Sequence, residues 1–258
     1  MSAFISYFDC NVSIGSPASG VYCPCTTVQE LLTELDWHGV EQALVHHALM
    51  RDESPVVGNA VLAESIAAEP RLVGTWAILP PQTGELPAGE AFFTAMKAHR
   101  IGALWAFPGR HRYLLNRLSF GAFLDAVSER RIPLFLPRDC GGPRPADTYE
   151  LVSQLLHEYP RLTIVLAAHG PWGEDRFFRA LLESYEGFHL DISRYELDGG
   201  LRELVARYGP QRLLYGSNFP YAAMGGPRMM LARAEIDDEA RRAIAGDNLR
   251  RLLQEAQL

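Results

Sequence analysis

The side chains able to move protons near neutral pH fall at a few separated points of the sequence: the carboxylates Asp9 and Asp139 and the imidazole of His169. A carboxylate within reach of an imidazole is sufficient for general acid–base catalysis without a metal ion. Alternate residues of a β-strand share a face, so Asp9, Asn11 and Ser13 are expected to point together toward one opening, as are Pro137 and Asp139. On this reading Asp9, Asp139, His169 and Asn218 ring a single mouth, and Arg138 or Arg194 neutralises a carboxylate on a ligand. Asn218 can orient a ligand, but its amide does not titrate in the useful range and is no base. Plainer roles compete: Asp9 can bond backbone groups at a strand end, and His169 can be a satisfied core histidine.

A second chemistry is thiolate and imidazole ligation of zinc by Cys23, Cys25, Cys140 and the pair His46 and His47. The Cys-x-Cys spacing lacks the separated pairs that mark structural zinc sites, so no cofactor is expected. His46 and His47 are consecutive, so only one faces a barrel interior; His46 is taken as a ligand contact. Cys10 is expected to face the helical layer as a packing thiol, and Asp191-Ile192-Ser193 to hold loops by hydrogen bonds. The glycine runs Cys140–Pro143 and Met224–Pro227 lack the phosphate-loop pattern and a clear helix start, and read as turns.

The elements that must position these groups alternate along the whole chain. Strand candidates are Phe4–Phe8, Gln42–His46, Leu72–Ile78, Gly102–Ala106, Pro133–Leu136, Leu162–Ala167, Phe188–Ile192 and Arg212–Tyr215; several are almost wholly apolar, as strands buried on both faces are. Helical periodicity marks Val28–Trp37, Gly58–Ala68, Gly89–His99, Phe120–Arg130, Asp147–Tyr159, Asp175–Glu186, Leu201–Tyr208 and Glu239–Gln254. Glu69-Pro70, Tyr159-Pro160 and Gly209-Pro210 separate helix from strand. Eight βα units without a linker predict a single α/β domain over residues 1–258, a (β/α)8 TIM barrel. The irregular stretches Ser13–Cys25 and Phe219–Arg228 follow strands, on the side where such barrels build function.

Phe8–Gly15 (FDCNVSIG), Leu166–Gly170 (LAAHG), Leu214–Pro220 (LYGSNFP) and Gly246–Leu253 (GDNLRRLL) occur in that order, with matching elements between them. Together they resemble the amidohydrolase-related family, which includes aminocarboxymuconate-semialdehyde decarboxylase and many metal-dependent hydrolases. The resemblance implies a barrel enzyme whose divalent metal is held by two histidines of Asp-x-His-x-His on strand 1, histidines ending strands 5 and 6, and an aspartate ending strand 8. Asn11, Ser13, Pro137 and Asn218 stand at four of those positions, and His169 alone matches. Amide, hydroxyl and proline are poor zinc ligands, so the metal site is expected to be degenerate. Trp105 stands where relatives often carry a polar group, and its indole can fill the space of a metal and its water.

The net charge of −7 comes without a basic stretch, which argues against nucleic acid as a partner. No segment holds the roughly 18 consecutive apolar residues of a membrane span, and the first residues lack a basic-then-apolar leader, so the chain is expected to be cytoplasmic, with no membrane partner. Four cysteines in 258 residues suit a reducing compartment. The expected partner is a small-molecule ligand, and exterior helix faces leave room for a homo-oligomer. The function read here is hydrolysis of a small carboxylated or cyclic substrate without the usual metal. The alternatives are a non-catalytic ligand-binding or regulatory barrel, a lyase of decarboxylase type, and an enzyme with a rebuilt Cys/His metal site.

Overall fold

Apolar runs of four to seven residues pair side by side in chain order: β1 (Phe8–Ile14), β2 (Gln42–His47), β3 (Leu72–Ala77), β4 (Ile101–Trp105), β5 (Leu134–Pro137), β6 (Ile164–Ala167) and β7 (Phe188–Asp191), ending on the two-residue β8 (Leu213–Leu214). The computed structural model describes residues 5–18, 20–168 and 174–258. Every neighbouring pair is parallel. The sheet closes because Cys10 N–H donates to the Tyr215 carbonyl (2.9 Å), Ser13 N–H donates to that of Phe219 (2.8 Å), and Val12 bridges to Phe219 in parallel. The expected (β/α)8 TIM barrel is therefore the observed fold.

The helices are α1 (Val28–His38), α2 (Ala48–Asp52), α3 (Pro55–Ser65), α4 (Glu90–Ala98), α5 (Pro108–His111), α6 (Arg117–Glu129), α7 (Pro145–Glu158), α8 (Asp175–Ser184), α9 (Gly200–Tyr208), α10 (Gly225–Arg233), α11 (Asp238–Arg242) and α12 (Asn248–Glu255). Local chemistry sets their starts. Thr27 and Glu30 form a reciprocal capping box on α1, and Ser54 caps α3 with Pro55 in its first turn. Asn116 and Asp237 cap α6 and α11 through their side-chain oxygens. The core between sheet and helices is built from side chains such as Leu31, Leu62, Leu104, Phe135, Phe178, Phe188 and Leu204, all essentially buried. Each such side chain contributes about 1.5–3 kcal/mol through removal from water. No helix among the described residues is long and apolar enough to cross a membrane.

Several sequence expectations need correction. β1 begins at Phe8, where the expected strand ends, and runs to Ile14, taking in Asn11 and Ser13; Phe4 lies outside the described residues. The misplacement came from favouring apolar alternation, whereas the true strand carries polar residues that the barrel top surrounds with hydrogen bonds. α3 starts three residues earlier than Gly58, at the Ser54–Pro55 cap. The expected helix Glu239–Gln254 is α11, a π-helical turn at Ala243–Asp247, and α12. Met224–Pro227, expected as a turn, opens α10. Pro227 is tolerated there because the first N–H groups of a helix have no intrahelical partner.

Candidate functional site

The strand-1 polar residues are the most enclosed of the set: Asp9, Asn11 and Ser13 are 0%, 2% and 1% exposed. Asp9 Oδ1 accepts from the backbone N–H of Asn11 (3.0 Å) and of Ser217 (2.9 Å), joining β1 to the residues after β8. Burial pushes the Asp9 carboxyl up to about 7, against the hydrogen bonds of Ser217 and Asn11. The plainer role for Asp9 is thus the one its geometry displays. Asn11 Nδ2 donates to Asp191 Oδ2 (2.9 Å), which also accepts from Ala168 N–H (3.1 Å) and Ser193 Oγ (2.8 Å), while Asp191 Oδ1 accepts from Ser193 N–H (2.7 Å). One fully buried carboxylate therefore ties the ends of β1, β6 and β7, the loop-holding role expected of Asp191-Ile192-Ser193.

Strict alternation does not run through β1, because its register against β2 shifts between Asp9 and Val12. Cys10, expected to face the helices, lies instead beside Asp191: a Cβ on Gly216 would stand 2.3 Å from Asp191 Oδ1 and 3.0 Å from Cys10 Sγ. Burial, and then the charges of Asp191 and Asp9, push the Cys10 thiol well above its usual range, which suits inert packing.

His46 and His47 separate as consecutive strand residues must. His46 packs on the Trp105 indole (ring centroids 5.0 Å), which stacks on Phe107 (5.4 Å) and touches Phe135 (5.2 Å), so the four rings form one buried cluster. Burial, then Arg51 and His47, push His46 down to about 3, so its ring is neutral. His47 turns back to accept from Leu49 N–H (3.2 Å), and a side chain on Gly15, whose φ is +98°, would strike its ring at 2.5 Å. Beside this stack the Arg51 guanidinium lies 5.3 Å from the centroid of Tyr221. Burial raises the Tyr221 phenol against the pull of Arg51 and, more weakly, Arg110. Tyr221 lies in the irregular stretch Phe219–Arg228 singled out in the sequence, whereas Arg51 carried no signal there.

At the C-terminal ends of β4 and β5 opens a cleft of about 510 Å³, lined by Phe107, Arg110, Leu114, Pro137, Asp139 and Gln154 among others. Pro137 and Asp139 share it, as expected. Asp9, Asn11, Ser13, His46, Trp105, Arg194 and Asn218 are not among the residues that line it: Asp9 is buried beside the residues after β8, while Asp139 is exposed on the loop after β5. Asn218 is half-buried at φ +56°, directly after Ser217, and Arg194 is half-buried after β7. Arg138, expected to neutralise a ligand carboxylate, pairs through Nε with the buried Glu174 carboxylate (2.8 Å), which also accepts from Tyr149 OH (2.7 Å). His169 lies outside the described residues; Ala167, two positions before it, pairs with Pro137 across β5 and β6.

The residues at the positions where the resemblance implies a divalent metal do not fit one. Asn11 and Asn218 offer neutral amides, Ser13 a hydroxyl that reaches only its neighbour's carbonyl (3.5 Å), and Pro137 no donor. Among the described residues no three His, Cys, Asp or Glu side chains come together to hold a metal ion. The same holds of the group around Cys23, Cys25, Cys140, His46 and His47, and burial pushes the Cys25 and Cys140 thiols up to about 12.

No curated protein matches the chain in sequence. Solved structures do match in fold. A 5-carboxyvanillate decarboxylase from Sphingomonas paucimobilis superposes with a TM-score of 0.74 at 16% identity over 97% of this chain and 99% of that one. A 2,6-dihydroxybenzoate decarboxylase from Rhizobium gives 0.75 at 18% identity over 97% and 99%. A probable 2-pyrone-4,6-dicarboxylic acid hydrolase from Acinetobacter baumannii gives 0.70 at 16% identity over 97% and 100%. The amidohydrolase family model matches residues 40–254, most of the chain and all of the barrel from just before β2 into α12. The chain belongs to the amidohydrolase family.

Proposed function

We propose that the protein is a metal-independent enzyme of this family that hydrolyses a small carboxylated or cyclic molecule in the cleft at the ends of β4 and β5. The observation that carries the reading is the cleft itself, at the strand ends where barrels of this class build their sites, with the carboxylate of Asp139 and the guanidinium of Arg110 on its wall. Asp139 and His169 are assigned the proton transfers: one removes a proton from the attacking water, and the proton is returned to the leaving oxygen or nitrogen as the acyl bond breaks. Arg110 orients the substrate carboxylate. Asp9 is assigned to the architecture.

The experiment is turnover of a panel of carboxylated esters, lactones and aryl carboxylates by wild type, His169→Ala and Asp139→Asn, each with and without chelator. Turnover that survives chelator and drops at least about a hundredfold in either variant supports the reading, since a positioned acid or base supplies 10²–10⁴-fold. Turnover abolished by chelator refutes metal independence. A second reading, a barrel that binds without turnover, is favoured by one observation: His46, Trp105 and Phe107 form a buried aromatic cluster at the ends of β2 and β4. It predicts ligand-dependent melting without product.

A further inference from the structure

The polar wall of the rim cleft divides into groups the fold uses and groups it does not. Tyr113 OH accepts from Phe107 N–H (2.9 Å), Asn116 Oδ1 caps α6 (3.2 Å), and Gln154 Nε2 donates to Glu158 (2.9 Å). The side chains of Arg110 and Asp139 form no ion pair or hydrogen bond among the described residues, and they do not pair with each other. Arg51, the guanidinium over Tyr221 near Arg110, is paired with its neighbour Asp52 (3.9 Å). Arg138, the cation next to Asp139 in sequence, pairs through Nε with Glu174 (2.8 Å) and not with Asp139. Phe107, Leu114, Leu115 and Leu151 line the same cleft, with Leu114 61% exposed at its lip.

On the reading that this cleft holds the ligand, we propose that it is specific for a small zwitterion with an apolar body, an amino acid or amino-acid-like molecule released by the hydrolysis, whose carboxylate lies at Arg110, whose ammonium, the protonated leaving nitrogen, lies at Asp139, and whose side chain covers Leu114. A ligand with one charge leaves the opposite protein charge desolvated and unpaired, and such a site discriminates strongly against the analogue lacking a partner group. Covering the leucine lip adds about 25 cal/mol for each Å² of apolar surface removed from water.

The test is calorimetric titration of the full chain with two amino acids, phenylalanine and leucine, and with their single-charge counterparts: 3-phenylpropionate and 4-methylpentanoate as carboxylates, phenethylamine and isopentylamine as ammoniums. Wild type, Arg110→Gln and Asp139→Asn are compared after circular dichroism shows each to be folded. At least one amino acid is expected to bind roughly tenfold tighter than either of its counterparts, the factor a partly exposed charge pair supplies. Arg110→Gln should weaken it to the level of the amine, and Asp139→Asn to that of the carboxylate. Carboxylates that bind as well as the amino acids, with Asp139→Asn silent, overturn the proposal while leaving the cleft a carboxylate site. No binding of either amino acid at about 10 mM also overturns it. Because binding alone is read, these outcomes are independent of chelator-resistant turnover.

Discussion

Asp9 shows how one position is set by its surroundings rather than by its type. It is a carboxyl group with both backbone amides it can reach already donating to Oδ1 and with Oδ2 unpartnered among the described residues. Burial raises it from 3.8 to about 7, so the folded chain holds its proton in a range where the unfolded chain has lost it. The sign follows: its contribution is fully present below about pH 4 and is lost as pH rises through 7, at no more than about 1.4 kcal/mol per pH unit. His46 and His189, pushed by burial down to about 3 and about 4, tilt stability the opposite way below pH 6.5. The informative quantity is therefore the stability difference between wild type and Asp9→Asn, measured by urea unfolding from pH 4 to 8. It should shrink steadily up to about pH 7 and then level off, and a difference independent of pH would remove the raised pKa from consideration.

At the scale of elements, buried carboxylates tie strand ends together. Asp191 accepts four hydrogen bonds from residues of three strand ends, so it cannot yield to an intruding atom. Gly216 leaves that space open. Gly216→Ala would place a methyl 2.3 Å from Asp191 Oδ1, and overpacking against a fixed group is expected to cost about 3 kcal/mol or more. A urea midpoint close to that of wild type, with an unchanged m value, would show that the Asp191 network is looser than its geometry implies. Element identity was legible wherever a signal was local, as with the Thr27–Glu30 capping box of α1. It was illegible where tertiary packing made the decision: α10 starts on two glycines and a proline, and β1 continues through Asp9 and Asn11, whose side chains bond to residues at the ends of β8 and β7.

At the scale of the whole molecule, eight parallel strands close without any group of three metal-binding side chains among the described residues. Stability is then expected to be indifferent to divalent ions. Dialysis against chelator should leave Tm unchanged, and zinc at about 100 µM should not raise it, because only a ligand that binds the folded state stabilises by mass action. A rise of several degrees with zinc would point to a site completed by residues such as His169.

The sequence by itself determined the number and order of the βα units and the barrel, because apolar periodicity is a local property, and it put amide, hydroxyl and proline side chains at Asn11, Ser13, Pro137 and Asn218. Only the tertiary structure decided which of the candidate groups share a space. Cys10 came to lie near Asp191, the closure of β1 on β8 buried Asp9, Arg138 paired with Glu174, and Asp139 came to share an open cleft with Arg110. Burial and hydrogen-bond partners come from residues far apart in the chain, and spacing along one strand carries no record of them.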